Sequence, residues 1–125
     1  MPRKQKKSLE LKTHYEVKRV DPNLRLTFVK NAVGTSRFKC QCKFGQKSWL
    51  GHWERGTGED LPEKCCAKYC RHRVQVGAHV KIFGESQKTS WIIPFCHYHN
   101  KRPDNYYIEL KPGVMLCGAA RIDCV

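Results

Sequence analysis

The side chains able to do chemistry in this 125-residue chain are mostly thiols and imidazoles, eight cysteines and six histidines. Cys65, Cys66 and Cys70 lie close together, and Cys96-x2-His99 follows after twenty-five intervening residues. Thiolate and imidazole are the donors that structural zinc prefers, and two ligand pairs brought together from separate segments complete a tetrahedral site. The spacing therefore predicts one zinc held by Cys70, Cys96 and His99 with either Cys65 (Cys65-x4-Cys70) or Cys66 (Cys66-x3-Cys70); the longer knuckle favours Cys65. Cys40-x-Cys42, His52 and whichever of Cys65 and Cys66 is left over form a candidate second metal site, the alternative being reduced structural thiols. Cys117 and Cys124 are seven apart in an expected strand, hence on opposite faces, and read as core or edge residues.

An even cysteine count also suits a secreted disulfide framework. The first residues, MPRKQKKSLELK, carry no apolar h-region, so no signal peptide is expected. The expectation is an intracellular protein, cytoplasmic or nuclear, in a reducing compartment where clustered Cys and His bind metal. No run of about eighteen apolar residues exists to span a membrane.

These ligands need elements to position them. Residues 1–12 read as a basic, flexible arm and 13–125 as one domain. Tyr15 to Val20 and Leu24 to Val33 are β-branched and aromatic, and Asp21-Pro22-Asn23 between them is turn chemistry, which predicts a hairpin. Ser48 is a good N-cap for a short helix bearing Trp49, Leu50 and Trp53, with Gly56 as its stop. Val74 to Phe83 alternates as a strand, with Val76, Ala78, Val80 and Ile82 on one face and His79 on the other. Trp91 to Phe95 is a short apolar strand whose Pro94 suggests an edge or an end. His97 to Arg102 predicts a turn or two of helix, and Tyr106 to Leu110 and Val114 to Val125 predict strands around Lys111-Pro112-Gly113. The fold class is α+β: β-hairpins and a ββα finger in a small zinc-stabilised domain.

Residues 65–102, and within them Gly77-Ala78-His79-Val80 and Ile92-Ile93-Pro94-Phe95-Cys96-His97-Tyr98-His99-Asn100-Lys101, resemble the HNH (His-Me finger) nucleases over the central third of the chain. The resemblance implies a treble-clef finger in which a strand, a loop, a second strand and a helix surround a metal. It implies that His79 is the general base and that Asn100 helps to hold a second divalent cation such as Mg2+, making the protein a metal-dependent endonuclease. Trp91 stands where that family has the Asn that orients the catalytic His, and Ala78 where it often has an acid. Ser90 or a backbone carbonyl would have to orient His79 instead.

Charge supplies an independent argument. Twenty-four Lys and Arg against eleven Asp and Glu give a net charge of +13, and residues 1–30 hold nine basic and three acidic side chains. Such an excess favours a polyanionic partner: DNA, RNA or an anionic membrane surface. The partner expected is nucleic acid, DNA before RNA, and not a membrane. Arg3, Lys4, Lys6, Lys7, Lys101 and Arg102 are the candidate phosphate contacts. The sequence thus supports a zinc-stabilised nucleic-acid-binding protein with an HNH-like finger, a metal-dependent endonuclease on the family's pattern. The alternative is a non-catalytic, zinc-stapled structural or protein-interaction module.

Overall fold

The computed structural model describes residues 16–22, 27–32 and 48–119. The arm at 1–12, Cys40, Cys42 and Cys124 lie outside these, and with them the phosphate contacts assigned to Arg3, Lys4, Lys6 and Lys7. In order, the elements are β1 (Val17–Arg19), β2 (Phe28–Asn31), α1 (Trp49–Thr57), β3 (Val76–Ile82), β4 (Trp91–Phe95), α2 (His97–Asn100), β5 (Ile108–Glu109) and β6 (Met115–Gly118). All six strands join one antiparallel sheet in the order β1-β6-β4-β3-β2-β5. The fold is a small mixed one, mostly sheet, with two short helices among the described residues.

β3 and β4 are the frame. They pair from Val76↔Phe95 to Val80↔Trp91, and the alternation anticipated along β3 is present. Ala78, Val80 and Ile82 join Ile93, Phe95 and Leu116 in the larger core. Ile92 turns to the other face, into a second cluster with Trp53, Met115 and Cys117 that α1 covers. β4, buried along its whole length, has strands on both sides, so it is not an edge strand. Pro94 is tolerated because β6 pairs with β4 only at Trp91 and Ile92; beyond them the Cys66 amide donates to the Pro94 carbonyl at 3.1 Å.

α1 begins as its sequence dictates. Ser48 accepts a hydrogen bond from the Gly51 amide, an ordinary N-cap. Its stop is Gly58 at φ 73°, two residues later than the expected Gly56; the left-handed cap falls where Trp53 has already entered the core and the chain must leave. Gly77 explains how closely α1 seats on β3. A Cβ there would lie 2.7 Å from the Trp49 carbonyl carbon and 2.8 Å from the Leu50 nitrogen.

Two expected hairpins do not form. β1 pairs with β6 and β2 pairs with β3 and β5, so the two strands expected to pair across Asp21-Pro22-Asn23 lie almost at opposite edges of the sheet; Asn23 is outside the described residues. Likewise β5 pairs with β2 and β6 with β4 and β1, not with each other. Turn chemistry specifies a local reversal, whereas long-range burial chooses the partner. No helix among the described residues is long and apolar enough to cross a membrane.

Candidate metal centre

Two segments converge at the end of β4. Residues 64–73 fold back on themselves: the Cys65 amide donates to the His72 carbonyl at 2.8 Å, and Lys64 bridges to Arg73. The bend is tightened by the Cys70 amide donating to the Ala67 carbonyl at 3.1 Å, with Tyr69 at φ 66°. That left-handed conformation is uncommon for a residue with a side chain and costs roughly 1–2 kcal/mol. The turn brings Cys70 back beside Cys65. On the second segment Cys96 caps α2, its sulfur 3.5 Å from the His99 amide, so Cys96 and His99 face the same point within one turn.

Four ligand atoms meet there. Cys65, Cys70, Cys96 and His99 each offer one, and all lie within 4.8 Å of one another. Cys96 Sγ is 3.4 Å from His99 Nδ1, Cys65 Sγ is 3.7 Å from the same nitrogen, and Cys70 Sγ is 3.9 Å from Cys96 Sγ. A tetrahedral zinc with Zn–S of about 2.3 Å and Zn–N of about 2.0–2.1 Å places ligand atoms roughly 3.6–3.8 Å apart. Three of the six donor pairs stand close to that spacing, and no pair is more than 4.8 Å apart. The cluster is a Cys3His group, buried at its three sulfurs, that could hold a metal ion.

Electrostatics favours a cation there as well. Burial pushes the Cys65 thiol up to about 12, and the nearby Cys96 and Cys70 sulfurs push in the same direction. Three thiolates in such a place need a positive charge among them. Burial, then Arg102 and His72, lowers His99, which keeps it the neutral imidazole a metal requires. The five cysteines in the described residues are all free thiols.

The choice between Cys65 and Cys66 falls to Cys65. Cys66 is fully buried in the larger core, outside the cluster, and its thiol is pushed up to about 12 by burial although Lys111 opposes this. Its backbone does the work, receiving the Lys111 amide at 2.9 Å while bonding to Pro94.

One contributor had no signal in the spacing of the ligands. Asn31 on β2 donates through Nδ2 to the carbonyls of both His99 and Arg102, each at 2.9 Å. It is nearly buried and ties the end of α2 to the sheet, which holds His99 in place. A short helix cannot satisfy its own last carbonyls, so a side-chain donor from elsewhere is needed.

The remaining candidates lie elsewhere. His52 is completely buried on α1 and donates from Nε2 to the Gly118 carbonyl at 2.7 Å. With Cys40 and Cys42 outside the described residues, the second metal site rests on sequence alone. His79 projects from the face of β3 opposite Ala78 and Val80, yet that face is roofed by α1. Its ring packs edge-on against Trp49 at 4.4 Å between centroids, and the residue is 8% exposed. Burial, assisted by His52, lowers its pKa to about 4. Asn100, half-buried, closes α2, which is tied to the sheet from the Val80 side through Asn31. No hydrogen bond among the described residues joins His79 to Asn100 or to Ser90. Lys101 is exposed, and Arg102 sits with its guanidinium carbon 5.0 Å from the Tyr98 ring centre and 4.5 Å from that of Tyr106.

Comparison of the chain with family models, with curated proteins and with solved structures finds no match in any of the three.

Proposed function

We propose that this chain is a zinc-stapled module that binds nucleic acid through its basic surface. The observation that carries the reading is the convergence of Cys65, Cys70, Cys96 and His99, their ligand atoms within 4.8 Å of one another, in a chain of net charge +13. Three thiolates and an imidazole suit zinc above harder cations, which prefer oxygen. All four positions are filled by protein donors, the pattern of a structural site, since a catalytic zinc keeps one position for water or substrate. The ion's contribution would be folding energy, joining the 64–73 knuckle to the β3–β4–α2 unit in a treble-clef-like arrangement.

The position of His79 weighs against hydrolysis. A general base works best with a pKa near the operating pH, and an imidazole held near 4 under Trp49 is a weak base with little access to water. The charge serves binding instead. Lys and Arg on a nucleic acid displace condensed counterions, so affinity falls steeply with salt.

The test is fluorescence anisotropy of labelled DNA and RNA with the zinc-loaded full chain across a salt series. The logarithm of the association constant should fall linearly with the logarithm of salt, at about −0.7 to −0.9 per phosphate contacted. Deleting residues 2–7 should flatten the slope without changing zinc content, and plasmid DNA should stay intact in magnesium. Failure to bind either nucleic acid at roughly 50 mM salt, a permissive condition, would leave only a zinc-stapled structural or protein-interaction module.

A further inference from the structure

Lys30 on β2 and Lys81 on β3 stand directly opposite each other in the register of the sheet, so their side chains leave the same face. Like charges placed opposite each other on adjacent strands destabilise the pair unless something neutralises them. They line one hollow of about 280 Å³, together with Gln87, Ser90 and a single carboxylate, Asp104. Lys81 Nζ donates to the Gln87 carbonyl at 2.6 Å, which satisfies one of its protons, and no ion pair of Lys81 is found among the described residues.

Beside this hollow lies an exposed aromatic pair. Phe83 follows β3 and shares the parity of Lys81, and Tyr107 precedes β5 and shares the parity of Glu109, which pairs with Phe28, so both rings leave the lysine face. Phe83 is 62% and Tyr107 43% exposed, and they meet edge to face at 5.2 Å. The Lys30 ammonium lies 5.7 Å from the centre of the Tyr107 ring. Exposed rings clustered beside cations mark a recognition surface better than they mark a core.

We infer that this face binds single-stranded nucleic acid, a backbone phosphate lying between Lys30 and Lys81 while a neighbouring base stacks on the Tyr107–Phe83 pair. The inference deepens the nucleic-acid reading above and rests on it. A phosphate relieves the repulsion that the sheet imposes on the two lysines. The rings select an unpaired strand, because a duplex keeps its base faces stacked internally whereas a single strand offers every base as a π-face.

Single-stranded DNA and RNA of roughly a dozen nucleotides, a length within the reach of one small domain, are titrated against the zinc-loaded full chain beside a duplex of the same sequence. The single strands should bind more tightly than the duplex. Phe83→Ala with Tyr107→Ala should weaken single-strand binding by about tenfold or more and leave duplex binding nearly unchanged. Lys30→Gln with Lys81→Gln should reduce the single-strand salt slope by about 0.7, the value of one phosphate. Without nucleic acid the lysine variant should melt above the wild-type temperature, a gain that a stabilising structural role would not give. Wild-type affinity of the aromatic variant, or duplex binding equal to single-strand binding, overturns this inference and leaves the general reading standing. Absence of binding to all three ligands overturns both.

Discussion

The two faces of the β3–β4 pair carry the same kinds of side chain and use them differently. One side gathers Cys65, Cys70, Cys96 and His99 with their ligand atoms within 4.8 Å of one another. The α1 side gathers His52, His79 and Cys117, all buried, yet they form no cluster of ligand atoms among the described residues. His52 donates to the Gly118 carbonyl, Cys117 lies 4.0 Å from the His52 carbonyl, and His79 packs on Trp49. The difference shows that burying thiols and imidazoles together does not make a metal site. Converging donors need a backbone that aims them at a common point, here the 64–73 knuckle and the first turn of α2.

The comparison is broken most decisively by matched serine substitutions. Cys96→Ser should abolish stoichiometric zinc and unfold the domain, because the binding energy of a structural zinc, about 10–16 kcal/mol in isolated fingers, is largely folding energy. Cys117→Ser, equally buried, should keep its zinc and lose only about 1–3 kcal/mol in a denaturant titration, the usual cost of burying a poorly satisfied hydroxyl. Equal losses from both variants would remove the distinction between the faces.

Acid probes the α1 side next. His79 has its pKa lowered from 6.5 to about 4, so the unfolded chain takes up a proton at that site before the folded chain does. Its effect on stability is absent above about pH 6.5 and grows as pH falls, reaching a loss of about 3 kcal/mol below pH 4. His52, also lowered by burial, acts in the same direction. Acid also protonates the thiolates and imidazole that would hold zinc, so the relevant quantity is the difference between wild type and His79→Gln across pH. The acid loss should be smaller in the variant; parallel curves would show that His79 titrates normally in the folded protein.

The seat of α1 gives the smallest effect. Gly77→Ala places a methyl group under 3.0 Å from Trp49 and Leu50 backbone atoms, so α1 must move, at about 1–3 kcal/mol. Zinc content should stay at wild-type level. Loss of zinc in this variant would mean that the two faces are not independent.

Local signals were legible in the sequence where local physics decides them. Ser48 capped α1, alternation located β3, and ligand spacing found three of the four cluster residues outright. The fourth needed the structure, because Cys65 and Cys66 differ by one residue and only the direction of the backbone separates them. Alternation also told which face of β3 carries His79 but not that α1 roofs it, since alternation reports orientation and not what lies above. The pairing of β1 with β6 and the tether from Asn31 to α2 join residues about seventy or more apart in sequence, where no local propensity reaches. Exposed Phe83 and Tyr107 looked like ordinary strand residues until their solvent exposure set them apart.

The proposed zinc site joins Cys65, Cys70, Cys96 and His99 around one ion. Zinc-edge X-ray absorption on the full chain purified under reducing conditions tests it most directly. One zinc per chain is expected, with three sulfur neighbours at about 2.3 Å and one nitrogen at about 2.0–2.1 Å. A shell of nitrogen and oxygen only, two or four sulfurs, or no stoichiometric zinc would contradict it.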